Sequence, residues 1–342
     1  MYKVDIGVFA HNEAHQIVDM ITGLMAQDVF ESNTYSVRVF VLANGCTDHT
    51  AQTARDCLCV LSDIGLHEVF DLAKGGKSRT WNTFVHELSR PDADILVFCD
   101  ADAEMPNPQN ISSMLSLLVK DPELRASTSR PTKDIAYYAK DLSFMEKIIS
   151  KSGGNLYNWR NSIAGSLYAL PISVARSFHL PIGLPVEDGF VRAMVATQCF
   201  ADIGGEAKID GKEGVFHIYE SERNISTLIR HQTRLVIGSA INSAVFGYLN
   251  DLKDSSISEE LRNAADDEDW LRRVLAERLP NRSFGWVPWS FLYKRLKFNI
   301  IKQKKNISIK LLGTLILGLA FDAIVFVNAQ IKMARGTGVG YW

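Results

Sequence analysis

Asp94-Ile95-Leu96-Val97-Phe98-Cys99-Asp100-Ala101-Asp102-Ala103-Glu104-Met105 decides how the rest of the chain is read. Ile95 to Cys99 is a short, unbroken apolar run, the pattern of a strand buried on both faces of a sheet. It ends in carboxylates at i and i+2, Asp100 and Asp102, which an apolar core cannot hold unpaired. Open α/β sheets bind their ligands at the carboxyl ends of strands. A hard divalent cation bridging to phosphate oxygens accounts for such a pair. The alternative is a solvated acidic loop after a core strand.

The residues before this stretch repeat a strand, a polar turn and a helix. Val4 to Ala10 reads as a first strand, followed by the turn His11-Asn12-Glu13 and an amphipathic segment through Met25. Ser36 to Ala43 is a β-branched second strand. The turn Asn44-Gly45-Cys46 follows it, and Thr47-Asp48 suits the cap of another helix. Strands alternating with helices imply parallel pairing with right-handed crossovers, so three polar loops emerge at one sheet edge. Residues 125–214 are less regular. Gly153-Gly154 and Gly165-Ser166 mark turns or close backbone approach. Pro181, Gly183 and Pro185 punctuate a loop ending at Val186-Glu187-Asp188. Phe190, Val191, Met194 and Val195 then form one helical face, which puts Glu187 and Asp188 in that helix's first turn. There the helix dipole favours ionised carboxylates, and simple helix stabilisation is their alternative role.

Composition bounds the function. The 342 residues are 46% hydrophobic and 22% charged, as expected of a folded chain, and the net charge of −2 excludes a globally basic nucleic-acid binder. Cys46, Cys57, Cys59, Cys99 and Cys199 follow no zinc or disulfide-framework spacing and fit a reducing compartment. No signal peptide is expected at the amino terminus. Charge is uneven toward the other end: Asp251 to Glu277 is acidic, while Arg278 to Phe321 holds nine Lys/Arg and no acid. Trp286, Trp289, Phe291 and Tyr293 run into Lys294, Arg295 and Lys297, with Lys302, Lys304 and Lys305 beyond. Aromatic residues beside basic ones suit an anionic membrane surface; the alternative is a packed helix with a solvated basic face. Leu311 to Val327 gives seventeen largely apolar residues, the lower limit for crossing a bilayer, with Asp322 costly at that depth. An amphipathic or re-entrant anchor, or a helix buried in a homodimer, competes with a true span.

Five segments occur in a telling order: Phe9-Ala10-His11-Asn12-Glu13, Leu42-Ala43-Asn44-Gly45-Cys46-Thr47-Asp48, Gly75-Gly76-Lys77-Ser78-Arg79-Thr80-Trp81-Asn82, Asp100-Ala101-Asp102 and Glu187-Asp188. Together they resemble the GT-A-fold glycosyltransferases of family 2, which use nucleotide-diphosphate sugars. The resemblance covers Val4 to Leu235. It implies an α/β, Rossmann-like, mostly parallel sheet with flanking helices over residues 1–235. Residues 1–125 would be the nucleotide-binding half and 126–235 the acceptor half. Residues 236–342 would form a membrane-associated helical region. It further implies that Ala10, His11 and Glu13 surround the nucleobase, that Asn44 stands at the base-reading aspartate, and that Lys77 lies near the diphosphate. Asp100 and Ala101 would contact the donor. Asp102 would ligate Mn2+ or Mg2+, with Asp100 and His217 as further ligand candidates; the alternative for His217 is a satisfied core histidine. Asp188 would be the general base and Glu187 its orienting neighbour.

Departures from the family pattern matter. Phe9 replaces a proline, and Asn44, an amide that both donates and accepts, leaves the base open. His231-Gln232-Thr233-Arg234-Leu235 matches only part of the Gln-x-x-Arg-Trp of processive polysaccharide synthases, which points to one sugar per encounter. The expected function is inverting, metal-dependent sugar transfer to a hydroxyl acceptor, either lipid-linked or a cell-surface glycan precursor. The expected place is the cytoplasmic face of a membrane, held peripherally or by a single anchor. A sugar nucleotidyltransferase would need a glycine-rich first loop, and a nicotinamide oxidoreductase a Gly-x-Gly-x-x-Gly after strand one; neither is present. A non-catalytic membrane-associated scaffold retaining the fold would leave Asp102 and Asp188 unexplained.

Overall fold

The computed structural model describes residues 1–342 except 62–65, 139, 141, 152–157, 164, 205, 207, 253, 280–285, 298–308 and 336–342. The expected Gly153-Gly154 turn and Lys302, Lys304 and Lys305 lie outside the described residues, as do the side chains of Tyr293, Lys294 and Arg295. In chain order the elements begin with β1 (Tyr2–Ala10), α1 (Ile17–Met25), β2 (Tyr35–Asn44), α2 (Thr50–Leu61), β3 (His67–Leu72), α3 (Lys77–Thr83), β4 (Ile95–Asp100) and α4 (Asn110–Lys120). Next come β5 (Ala126–Thr128), β6 (Arg130–Lys133), α5 (Asp134–Tyr137), α6 (Phe144–Lys151), β7 (Leu167–Pro171), α7 (Ile172–Ala175), α8 (Glu187–Thr197), β8 (Ile209–Asp210) and β9 (Phe216–Tyr219). The helices α9 (Ile225–Asn250), α10 (Asp254–Asp266), α11 (Trp270–Arg278), α12 (Ser290–Lys297) and α13 (Ile309–Ala334) complete the chain.

Contacts divide these elements into two compact units. One comprises Met1–Ile182, Glu187–Ser221 and Lys253–Asp267; the other comprises Gly183–Val186, Glu222–Leu252 and Glu268–Trp342. Residue 235 lies inside the continuous helix α9.

The first unit is built on a sheet of order β3-β2-β1-β4-β7-β5-β8. β3, β2, β1 and β4 are parallel, and β7 enters antiparallel to β4. The sheet is thus mostly parallel and flanked by helices. Residues Ala10, Asn44 and Asp100 close β1, β2 and β4 at one edge. β1 lies between β2 and β4, so the chain reverses its direction of travel across the sheet there, the place where such sheets open a crevice. β6 and β9 form a separate parallel pair.

Alternation along β1 explains the two layers. Val4, Ile6, Val8 and Ala10 face a core that includes Ile17, Ile21 and Leu24 of α1, Leu58 of α2, and Ile111, Met114 and Leu115 of α4. Asp5, Gly7 and Phe9 face the other way, toward an aromatic layer. Phe98 stacks on Tyr168 at 4.6 Å and on Trp81 at 5.6 Å, and meets Phe84 edge-on at 5.6 Å. Gly7 makes room for it: a Cβ there would lie 2.8 Å from the Phe84 ring. The Trp81 indole N–H donates to the Tyr168 hydroxyl at 3.0 Å, and the Asn82 side chain both accepts from and donates to the Leu180 backbone at 2.8 Å.

Asp5 is fully buried in this strand. Arg90 answers it, donating from its backbone N and from Nε to the carboxylate at 2.6 Å, and from Nη2 to the Val4 and Ser36 carbonyls. Asp5→Ala leaves the guanidinium partly buried without its counter-charge, so unfolding free energy should fall by about 3–5 kcal/mol. Urea denaturation checks this; a loss under 1 kcal/mol, roughly the value of a surface pair, would contradict it.

A second titratable contact sits at the margin of the aromatic layer. His86 stacks on His179 with ring centroids 3.7 Å apart. Burial, then His179 and the guanidiniums of Arg176 and Arg262, push the His86 imidazole down to about 4, whereas an unfolded histidine titrates near 6.5. A depressed imidazole contributes stability that is complete above about pH 6.5 and is lost as pH falls toward about 4. His86→Phe should therefore flatten the urea midpoint between those pH values. Parallel curves for the two proteins would show that His86 does not drive the acid loss.

Candidate active site

The cleft is assembled from the loops at the carboxyl edge of β1, β2 and β4. Its centre is Lys77, the first residue of α3. The ammonium lies 2.7 Å from the Asp100 carboxylate and 3.1 Å from Glu187 Oε1. Burial opposes the charge on Lys77, but Asp100 and then Glu187 outweigh it, and the amine is held well above its ordinary value. One cation shared between two carboxylates does not fully compensate either. Burial pushes the Asp100 carboxyl up to about 7, with Lys77 pulling against it.

Asp102 is also raised, by burial first, with Lys77 opposing and the Glu220 carboxylate adding to the rise. Glu13 follows the same pattern, raised by burial, by Asp102 and by Glu220. Glu220 in turn accepts from Gln16 Nε2 at 3.1 Å. Three acidic side chains from three parts of the chain thus share one electrostatic environment. Ala101 is buried and its N–H donates to the Phe9 carbonyl at 2.9 Å, which fixes the loop between the two aspartates.

The first two loops are stitched to each other. The His11 ring Nδ1 lies 2.7 Å from the Asn44 carbonyl oxygen, the Glu13 N–H donates to Thr50 Oγ1 at 2.8 Å, and Asn12 Oδ1 accepts from the Thr47 N–H at 2.8 Å. Asp48 accepts from the Thr50 N–H at 3.0 Å at the start of α2, as the capping pattern predicts. The Asn44 side chain is fully buried, and neither its Oδ1 nor its Nδ2 has a hydrogen-bond partner. Gly75 passes close by: a Cβ on Gly45, which has φ +57°, would fall 2.7 Å from the Gly75 Cα.

On the other side, Glu187 and Asp188 open α8 as the helical spacing predicts. The segment Gly165-Ser166 runs against them on its way into β7. A Cβ on Gly165 would lie 3.2 Å from the Asp188 Cβ and 3.6 Å from Glu187 Oε1. Ser166 is fixed by its carbonyl, which accepts from the Asp100 N–H at 2.9 Å. The Asp100 and Glu187 carboxylates therefore meet at Lys77.

His217 lies on β9, fully buried, with Nδ1 3.0 Å from Ser129 Oγ and Nε2 without a partner. Burial pushes it down to about 3, so the imidazole is neutral. Glu104, two residues after Asp102, exchanges two backbone hydrogen bonds of 2.9 and 2.8 Å with Ile218. Among the described residues, no three His, Cys, Asp or Glu side chains form a ready metal-binding group. Asp100, Asp102 and His217 are thus brought to one edge without closing into a trio, and Asp100 is engaged by Lys77. Glu220 and Gly165 were not legible as site residues. Glu220 lies one residue beyond β9, in an ordinary polar run, and its position beside Asp102 follows only from the pairing of Glu104 with Ile218.

The comparisons with known proteins bear on this arrangement. Residues 5–169 match the family model described as Glycosyl transferase family 2. No curated protein matches the chain. Among solved structures, the mannosyltransferase PcManGT from Pyrobaculum calidifontis, in complex with GDP-Man and Mn2+, is 16% identical with a TM-score of 0.55; the alignment covers 95% of this chain and 86% of that one. Glucosyl-3-phosphoglycerate synthase from Mycobacterium tuberculosis, solved with Mn2+, UDP-Glc and phosphoglyceric acid, is 16% identical with a TM-score of 0.46, covering 70% and 79%. At this identity the first likeness shows the fold, and the second is too distant to add to it. The ordered motifs, the sheet that presents them and the family match over β1 to β7 converge: the chain is a glycosyltransferase, with a family 2 domain of GT-A fold over residues 5–169.

Proposed function

We propose that this chain transfers one sugar per encounter from a nucleotide-diphosphate sugar to an acceptor hydroxyl, with inversion at the anomeric carbon. The observation that carries the reading is the Lys77 ammonium within 3.1 Å of both the donor-side Asp100 and the acceptor-side Glu187. A nucleotide at the β1, β2 and β4 edge and an acceptor at the start of α8 then share one cleft. Asn44 presents its unpartnered amide to the base, with Ala10, His11 and Glu13 around it, and Lys77 supplies a point charge for the diphosphate.

A divalent cation fits the residues present. Burial raises the Asp102 and Glu13 carboxyl groups, with the Glu220 carboxylate adding to both and Asp102 adding to Glu13, and the neutral His217 has a buried nitrogen without a partner. Asp102 would hold Mn2+ or Mg2+, with His217 and Asp100 as further ligands. The bound ion would supply Lewis-acid neutralisation of the leaving diphosphate. The mannosyltransferase PcManGT, which shares the fold, is solved in complex with GDP-Man and Mn2+.

Asp188 accepts the proton of the acceptor hydroxyl as its oxygen attacks the anomeric carbon. The bond from that carbon to the diphosphate oxygen breaks, and its electron pair leaves with the nucleotide diphosphate. Glu187, tied to Lys77, orients the base. The acceptor is lipid-linked or a cell-surface glycan precursor. The C-terminal helical region meets an anionic membrane at its cytoplasmic face, and a homodimer is compatible with this arrangement.

Asp188→Asn should reduce turnover by about two orders of magnitude or more while nucleotide affinity, measured by calorimetry, stays within about twofold. An equal loss of donor binding would remove Asp188 from the base role. Asp102→Ala should abolish the manganese-dependent part of donor binding, and unchanged manganese-dependent affinity would exclude it as a ligand. Screening nucleotide sugars for transfer with and without manganese, and reading the product anomer by NMR, tests the reaction class and its stereochemistry together.

A further inference from the structure

α13 has two apolar faces with different surroundings. Leu315, Val325, Phe326, Ala329 and Met333 are buried, on the side that packs against α9 and α12. Ile316, Leu317, Leu319, Ile324, Val327 and Ile331 are exposed, Leu317 to 74%. At about 100° per residue these six fall within an arc of about 160°, and at about 1.5 Å per residue they form a stripe roughly 22 Å long. Leu315–Ala334 is long and apolar enough to cross a bilayer, yet only 28% of it is buried.

The packing of the inner face decides between crossing a bilayer and lying on it. Asp322, at the middle of α13, lines one small cavity with Gln232, Val236, Phe291, Val325 and Phe326. The midpoint of α13 is therefore level with the first third of α9. Arg230 and Arg234 flank Gln232 there, both exposed. If α13 spanned a membrane, Asp322, Gln232 and two exposed guanidiniums would sit near the bilayer centre, the depth at which charge is least tolerated. Lying in the plane, α13 immerses only its outer stripe, and these polar groups stay on the protein side.

The margin of the stripe fits a lipid surface. Gln330 donates to the Val287 carbonyl at 2.9 Å and accepts from the Trp286 N–H at 3.1 Å, and Trp289 packs on Phe326 at 5.2 Å. These contacts hold two exposed tryptophans beside the stripe. Lys297, Lys332 and Arg335 are exposed as well. Tryptophan and basic side chains around an apolar face match the headgroup level of an anionic bilayer. A second copy of this chain would bring the same positive margin against itself.

We propose that α13 is an in-plane membrane helix, with the stripe from Ile316 to Ile331 immersed in an anionic leaflet and no crossing of the bilayer. This rests on the membrane association proposed above and specifies its mode. The test uses the full chain tagged at both ends. It should float with phosphatidylcholine vesicles containing phosphatidylglycerol but not with phosphatidylcholine alone. Alkaline carbonate should strip it from inverted cell membranes, where protease should cleave both tags. Ile324→Gln with Val327→Gln should lower flotation by about tenfold or more without changing the melting curve, since both side chains are exposed. A C-terminal tag protected from protease, with carbonate-resistant protein, would establish a span and overturn the in-plane mode while keeping membrane association. No flotation with either vesicle would overturn both. Unchanged flotation of the double variant, with a dimer turned to monomer in sedimentation, would reassign the stripe to a second copy.

Discussion

One part-buried ammonium holds the cleft together. Lys77 lies between Asp100 of β4 and Glu187 of α8, side chains that approach from opposite halves of the first unit. Without that charge, two carboxylates removed from bulk water would have to take up protons or draw apart. The approach to Lys77 also depends on glycine. A Cβ on Gly45 would strike the Gly75 backbone, so the bare Gly45 lets the segment leading into α3 pass close to the end of β2. Loop composition, ion pairing and the position of both candidate reaction partners are therefore one constraint seen at three levels.

Much of this was legible in the sequence because buried parallel strands write themselves as apolar runs. β1, β2 and β4 are found where Val4 to Ala10, Ser36 to Ala43 and Ile95 to Cys99 place them, each extended by a residue or two. The start of α8 follows from the spacing of Phe190, Val191, Met194 and Val195. Asp5 was illegible for the opposite reason: its partner Arg90 is distant in sequence, and no local pattern reports a charge neutralised from afar. The antiparallel entry of β7 was hidden too, since five residues carry no mark of strand direction. α10 lies between two helices of the second unit in sequence yet belongs to the first, an order that no composition boundary reveals.

The polar interior separates structural from functional groups. Asp5 with Arg90, Asn82 with Leu180 and Trp81 with Tyr168 are each satisfied within the protein, and each fixes the aromatic layer beneath the cleft. Asn44 and His217 are as deeply buried but keep atoms without partners. Buried polar atoms are nearly always paired in folded proteins, so these two stand out from the scaffold that carries them. Both lie on elements that deliver the sheet edge to the cleft.

The short pairing of Glu104 with Ile218 has a mechanical consequence. Its two backbone hydrogen bonds join the loop carrying Asp102 to the strand carrying His217, and β9 is itself paired to β6 along Arg130 to Lys133. Displacing Asp102 would require breaking that seam or carrying the small sheet along with it. The backbones that carry Asp102 and His217 are thus tied into one body by main-chain hydrogen bonds, so a ligand reaching both side chains would meet a fixed spacing of their backbones and be accommodated only through side-chain rotation.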